Sequence, residues 1–172
     1  GCNQIKYVKK ISFSKEQSQA KIQRTGYRFR PIGEKGDPKQ PSMWRMPVKS
    51  WLFGPQNVSV KTNTFFGVAF SGERGIRDVL FSIDDGKTWK ATTLLHPDLG
   101  KHAWRSFCLR CDLPVGRHRI FTKAIDMEGD VQPEHRTENE RGYGHNGWRD
   151  HGLFVDVFEK KENADHRKKS AE

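Results

Sequence analysis

An all-β fold, a two-sheet sandwich of the immunoglobulin-like kind, is what this sequence predicts, and three observations predict it. From Asn57 onward, short runs of alternating apolar and polar residues recur at 57–61, 64–71, 77–83, 88–92, 103–111, 117–125 and 151–158. Turn signals separate them: Gly72-Glu73-Arg74-Gly75, Asp85-Gly86, Pro97-Asp98-Leu99-Gly100, Pro114-Val115-Gly116 and Glu128-Gly129-Asp130. No stretch carries a helical period, and no unit repeats. Short strands at that spacing bury their apolar sides by facing a second sheet.

Taken in order, residues 1–16 (GCNQIKYVKKISFSKE) contain Ile5, Tyr7, Ile11 and Phe13 in alternation. They read as a strand or strand pair. Residues 17–56 lack sustained periodicity and are rich in Gly, Pro, Lys and Arg, so they form an irregular linking loop. Its end, 48–55 (VKSWLFGP), reads as a strand entering a turn. In the run 77–83, Val79, Phe81 and Ile83 share one face. Asp85-Gly86 then predicts a type I′ turn, which needs positive φ at both central residues. Trp89 and Trp104 are expected between the sheets, where large rings fill volume. Cys108 and Cys111 form a C-x-x-C within a strand, where positions i and i+3 point to opposite faces. They are therefore ordinary strand cysteines, and neither a redox pair nor half of a zinc site. Residues 57–158 make the sandwich, and 159–172 (EKKENADHRKKSAE) read as a disordered basic tail.

Composition bounds the function. A chain of 172 residues can bury a real core as one domain with an extension. Only 34% of it is hydrophobic, but the 11% that is aromatic supplies large buried area per residue. No apolar run is long enough to span a membrane as a helix. The opening residues lack the pattern of a secretory leader. The net charge of +10 favours anionic partners, yet no nucleic-acid signature interleaves the basic residues. Nothing resembles a phosphate loop, a dinucleotide fingerprint or a nucleophile elbow. The histidines are scattered without metal-ligand spacing, so no protein-ligated metal is expected.

Two longer motifs say more. Residues 82–89 read Ser-Ile-Asp-Asp-Gly-Lys-Thr-Trp, and 124–148 read AIDMEGDVQPEHRTENERGYGHNGW. In this order they resemble the "S-x-D-G-G-x-T-W" hairpin and the "A-x-D-x-x-G-x-V-Q-P … R-G-x-x-x-N" segment of the sulfite oxidase family of molybdenum enzymes. The resemblance is to that family's C-terminal dimerisation domain, a sandwich of the E-set type. Residues 1–16 are then the end of the molybdopterin-binding domain. Residues 4–8 (QIKYV) are similar to that family's "H-V-K-W-L", with Gln for His, Tyr for Trp and Val for Leu. The resemblance implies that Gln4, Ile5 and Lys6 contact the molybdopterin cofactor. It also implies that an arginine of 23–29 (QRTGYRF) faces the anionic substrate, Arg24 by position with Arg28 as competitor. Asn139, Arg141, Gly142, Asn146, Asp126 and Gln132 read as structural.

Carried through, the resemblance implies a homodimer working with an upstream molybdopterin domain. That whole enzyme would oxidise sulfite to sulfate and pass electrons to an acceptor such as cytochrome c. It would do so in the bacterial periplasm or the mitochondrial intermembrane space. The molybdenum-ligating cysteine is expected upstream, so this chain alone is expected to be inactive. Two alternatives stay open: an immunoglobulin-like module that binds an acidic protein, and the same domain of a nitrate or other oxyanion reductase.

Overall fold

A computed structural model describes residues 7–159 of the chain. Its elements in order are a four-residue helix, α1 (Lys21–Arg24), then β1 (Lys49–Phe53), β2 (Asn57–Ser59), β3 (Thr62–Phe70) and β4 (Ile76–Ser82). There follow β5 (Lys90–Ala91), β6 (Thr93–Leu94), β7 (Arg105–Asp112), β8 (Gly116–Asp126), a 3-10 turn (Trp148–His151) and β9 (Leu153–Phe158). One sheet has the order β1-β3-β7-β6, the other β2-β9-β8-β4-β5. Neighbours are antiparallel except β2 and β9, which run parallel. The architecture is thus the immunoglobulin-like sandwich that the strand spacing predicts.

Alternation along the strands builds the core. β3 buries Asn63, Phe65, Gly67 and Ala69 and turns Thr64 and Phe66 outward. β7 buries Phe107, Leu109 and Cys111. From the other sheet come Val79 and Phe81, Ile120 and Ala124, and Val155 and Val157. Phe65, Phe107 and Ile120 are wholly excluded from solvent. Each large side chain so buried contributes about 1.5–3 kcal/mol to folding. Ile83 packs at the margin of this core, so Val79, Phe81 and Ile83 do share a face. Cys108 lies on the outward face of β7 and Cys111 on the inward one. Burial pushes the Cys111 thiol up to about 11, so it is an inert hydrophobe at neutral pH.

Three expectations are corrected. Residues 7–16 form no strand, and Ile11 and Phe13 are exposed. A strand needs a partner's backbone, and among the described residues neither sheet lends one there. The run 88–92 is not one strand. Thr92 donates both its N–H and its hydroxyl to the Val79 carbonyl, each at 2.9 Å. The chain crosses there from the five-stranded sheet (β5) to the four-stranded one (β6). Finally, Trp89 and Trp104 do not lie between the sheets. Trp104 is 47% exposed and packs on Trp51 and Phe70, on the outer face of the four-stranded sheet. Trp89 meets Trp148 edge-on at 5.0 Å on the outer side of the other sheet. The inner volume is already taken by phenylalanines and branched aliphatics. The predicted tail lies outside the described residues, apart from Glu159.

The two motifs are knots of hydrogen bonds. Asp85 and Gly86 have φ of 62° and 82°, as a type I′ turn requires. The Asp84 carboxylate accepts from the Ser82 hydroxyl at 2.7 Å, the Thr88 N–H at 2.9 Å and the Thr88 hydroxyl at 2.5 Å. Those bonds hold its pKa well below the usual carboxylate range, the Thr88 hydroxyl foremost. The Trp89 indole N–H closes the loop onto the Gly86 carbonyl at 2.9 Å. In the second motif the buried Asp126 carboxylate accepts from the N–H groups of Glu128 and Asp130, from Ser71 and from Arg74. The Gln132 side-chain carbonyl accepts from the Ser50 N–H and hydroxyl and from the Ala124 N–H, so it ties β1 to β8 across the sandwich.

Where β1 meets the 3-10 turn, Lys49 donates to the His145 carbonyl, and the His145 ring bonds the Asp150 carboxylate at 2.9 Å. His151 packs against His145 and Trp51. Burial first, then the Lys49 cation, lowers its pKa from 6.5 to about 4. Between pH 4 and 6.5 the unfolded chain therefore binds a proton that the folded chain refuses. Stability should be full above about pH 6.5 and fall as pH drops towards 4, by roughly 1–2 kcal/mol after solvent screening. Urea denaturation across that range reads this directly, and His151→Gln should flatten the profile between those limits. An equally steep profile in the variant would contradict the assignment.

Candidate functional site

The segment before β1 is clipped to itself and to the loop after β8. Arg28 is buried, and its guanidinium donates to the carbonyls of Arg24 (3.1 Å), Gln40 (3.0 Å) and Gln23 (2.7 Å). Arg28 and Ser42 pair as an isolated bridge. Across to the distal loop, the Gly33 N–H donates to the Glu140 carboxylate at 2.7 Å, and the Glu140 N–H to the Arg30 carbonyl at 3.0 Å. The rings of Tyr27 and Tyr143 meet at 5.9 Å. Asn139 holds the distal loop in shape, accepting from the Tyr143 N–H at 2.9 Å and donating to its carbonyl at 2.8 Å. Asn146 donates to the Val48 carbonyl at 3.3 Å. Asn139 and Asn146 thus shape the backbone of this crossing, as the sequence suggests.

Between these segments opens a cleft of about 920 Å³. Lys21, Arg30, Lys35 and Arg141 bring four cations to its lining, against the carboxylates of Glu34 and Glu140. Glu140 is engaged by Gly33, and Glu34 accepts from the Gln40 amide. The Arg30 Nε is buried without a hydrogen-bond partner. Among the described residues Arg141 makes no side-chain hydrogen bond or ion pair, and it is exposed. A cleft with surplus guanidinium donors and two tyrosine rings suits a small anion or an anionic group.

The sequence-derived candidates fall unevenly on this geometry. Gln4, Ile5 and Lys6 lie outside the described residues. Arg24 ends α1, is exposed and is not among the residues lining the cleft. Arg28 is spent on three carbonyls, where it fastens the loop. Arg141, read from sequence as structural, lines the cleft together with Arg30. The resemblance implies a molybdenum centre whose protein ligand is a cysteine expected upstream. Cys111 faces the core with its proton held, and Cys108 lies on the far side of the same strand, so neither fits that role. Among the described residues no three His, Cys, Asp or Glu side chains converge to hold a metal.

The fold and cleft define a sandwich domain that presents cations at one end, with no metal ligand set among the described residues. Residues 40–153 match the profile of a family described as the Mo-co oxidoreductase dimerisation domain, and the chain belongs to that family. It is 30% identical to the mitochondrial sulfite oxidase of Homo sapiens over 90% of its length, and 28% identical to that of Mus musculus over 91%. It spans about a third of those relatives, 31% in each case. Among solved structures it is similar in fold to the sulfane dehydrogenase SoxCD from Paracoccus pantotrophus. That likeness has a TM-score of 0.60 at 22% identity and covers 80% of this chain and 36% of that one.

Proposed function

We propose that this chain is the C-terminal dimerisation part of a molybdopterin-dependent oxidoreductase that oxidises sulfite to sulfate, with electrons passing to a cytochrome-type acceptor. The match of residues 40–153 to the dimerisation-domain family carries the reading. In the whole enzyme the chain forms a homodimer and closes an upstream cofactor domain. Gln4, Ile5 and Lys6 contact the molybdopterin, whose phosphate and pterin edge suit a lysine and an amide. The isolated chain is inactive. The compartment is the periplasm or the mitochondrial intermembrane space, which fits the mitochondrial relatives.

The cationic cleft then guides the oxyanion. Arg141 and Arg30 are the donors we assign to it, while Arg24, on the segment that carries Arg30, does not line it. Guanidinium groups already in place bind an oxyanion by paired hydrogen bonds without reorganising. In the intact enzyme, Arg141→Gln should raise the KM for sulfite by about 10–100-fold while molybdenum content stays unchanged. Arg24→Gln should raise it less. If Arg24→Gln has the larger effect, the helix residue and not the cleft meets the substrate. If neither variant moves KM, the chain takes no part in substrate binding.

A further inference from the structure

The two arginines assigned to the cleft reach it from segments that share no strand. Arg30 belongs to the irregular stretch between α1 and β1, and Arg141 to the crossing between β8 and the 3-10 turn. Each is set by a tight turn. Arg30 leads into the turn 31–34, closed by the Glu34 N–H on the Pro31 carbonyl at 3.2 Å. Gly33 takes its third position with a φ of 85°, a conformation that glycine adopts without strain. Arg141 is a central residue of the turn 139–142, closed by the Gly142 N–H on the Asn139 carbonyl at 3.0 Å. The Asn139 side chain braces that turn against both backbone groups of Tyr143.

Glu140, the other central residue of the second turn, fastens it to the first. Its N–H donates to the Arg30 carbonyl at 3.0 Å, and its carboxylate accepts the Gly33 N–H at 2.7 Å. One residue thus grips the first turn at two points, one just before it and one within it. Arg141 follows directly in the chain, so the grip fixes where both guanidinium stems begin. The segments also meet through the rings of Tyr27 and Tyr143 at 5.9 Å, and through Gly144 against Phe29. Those contacts are apolar and give proximity with little direction. Hydrogen bonds, above all to a carboxylate, give direction as well.

The carboxylate also runs against the sign of its surroundings. Glu140 lines the cleft, and a negative charge there repels the anion that the cations attract. As a charge alone it lowers anion affinity. As a clasp it raises affinity, by keeping two donors in place before the ligand arrives. The two roles predict opposite effects, so they can be separated.

We infer that Glu140 is a positioning residue for the oxyanion, which it serves by holding the turns of Arg30 and Arg141 in fixed relation so that both guanidinium groups meet one ligand. The inference rests on the reading of the cleft as the substrate site and deepens it by naming what preorganises that site.

Kinetics of the intact enzyme with Glu140→Ala and Glu140→Gln variants test this. Glu140→Ala removes the clasp and should raise the KM for sulfite about 10-fold, with kcat and molybdenum content unchanged. Glu140→Gln keeps an acceptor for the Gly33 N–H and removes the negative charge, so its KM should match that of the parent or fall below it. A contact that served stability alone would lower the melting temperature without moving KM. Amide exchange at Gly33 reads the clasp itself, and should be about 10-fold faster in Glu140→Ala and unaltered in Glu140→Gln. Equal shifts of KM in the two variants, in either direction, would overturn the inference. So would an unchanged KM in Glu140→Ala where Arg141→Gln raises it. If Arg141→Gln leaves KM unmoved as well, the cleft is not the substrate site, and the role of Glu140 falls with that reading.

Discussion

Replacing Asp126 with Ala should cost about 3–5 kcal/mol of folding stability, the range seen when one partner of a buried, hydrogen-bonded ion pair is removed. The carboxylate is wholly excluded from solvent. It receives the Glu128 N–H at 3.0 Å, the Asp130 N–H at 2.9 Å, the Ser71 hydroxyl at 3.0 Å and the Arg74 Nε at 2.9 Å. Alanine strands two backbone donors, a hydroxyl and part of a guanidinium in a space that water does not reach. The same bonds fix the turn after β8 and fasten it to the loop between β3 and β4. Asp130 offers the control. Its carboxylate also meets Arg74, but it is 62% exposed, so Asp130→Ala should cost less than about 1 kcal/mol. Urea titration of both variants separates the two cases. A cost for Asp126→Ala no larger than that for Asp130→Ala would remove the buried knot from the account of stability.

The second large effect is expected at Gly67, in the middle of β3. A Cβ there would lie 2.2 Å from the tip of the Phe107 ring and 2.4 Å from the Trp51 carbonyl oxygen. Neither neighbour can yield cheaply. Phe107 is fully buried, and the carbonyl belongs to the adjacent strand β1. Overpacking usually costs 1–3 kcal/mol, and contact with fixed backbone puts Gly67→Ala at about 3 kcal/mol or above. Shortening the ring should return part of it. Gly67→Ala combined with Phe107→Leu should be more stable than Gly67→Ala alone, because the two sites share one space. Strictly additive losses would mean that the ring does not press on Gly67.

Much of the sandwich can be read from local pattern. A period of two told which residues of β4 share a face, and the Asp85-Gly86 pair announced its turn. The separation of the two β7 cysteines followed from strand geometry alone. Local pattern does not say which side of a strand is inside. Trp89 and Trp104 carry the strongest apolar signal in their runs, yet both pack outside, because Phe65, Phe107 and Phe81 occupy the inner volume. Nor does it say where one run changes sheet, as at Thr92, or whether an alternating run such as 7–16 finds a partner. The cleft was hidden for a similar reason. Gly33 and Glu140 are 107 positions apart, and only the folded chain brings Arg30 and Arg141 to one lining. The resemblance pointed to 23–29, of which Thr25, Gly26 and Tyr27 line the cleft. It could not tell that Arg28 serves as a clasp for the loop that carries it.

The placement of β9 constrains the order in which the molecule can be made. Of the described strands it is the last to leave the ribosome, yet it sits inside its sheet, between β2 and β8. Until it emerges, β2 has no neighbour in that sheet and β8 exposes one side of its ladder. The pairing of Asn57 with Asp156 spans nearly the whole domain, and such distant pairings form slowly. Any domain encoded ahead of this chain therefore finishes synthesis well before the sandwich can close, and can fold first.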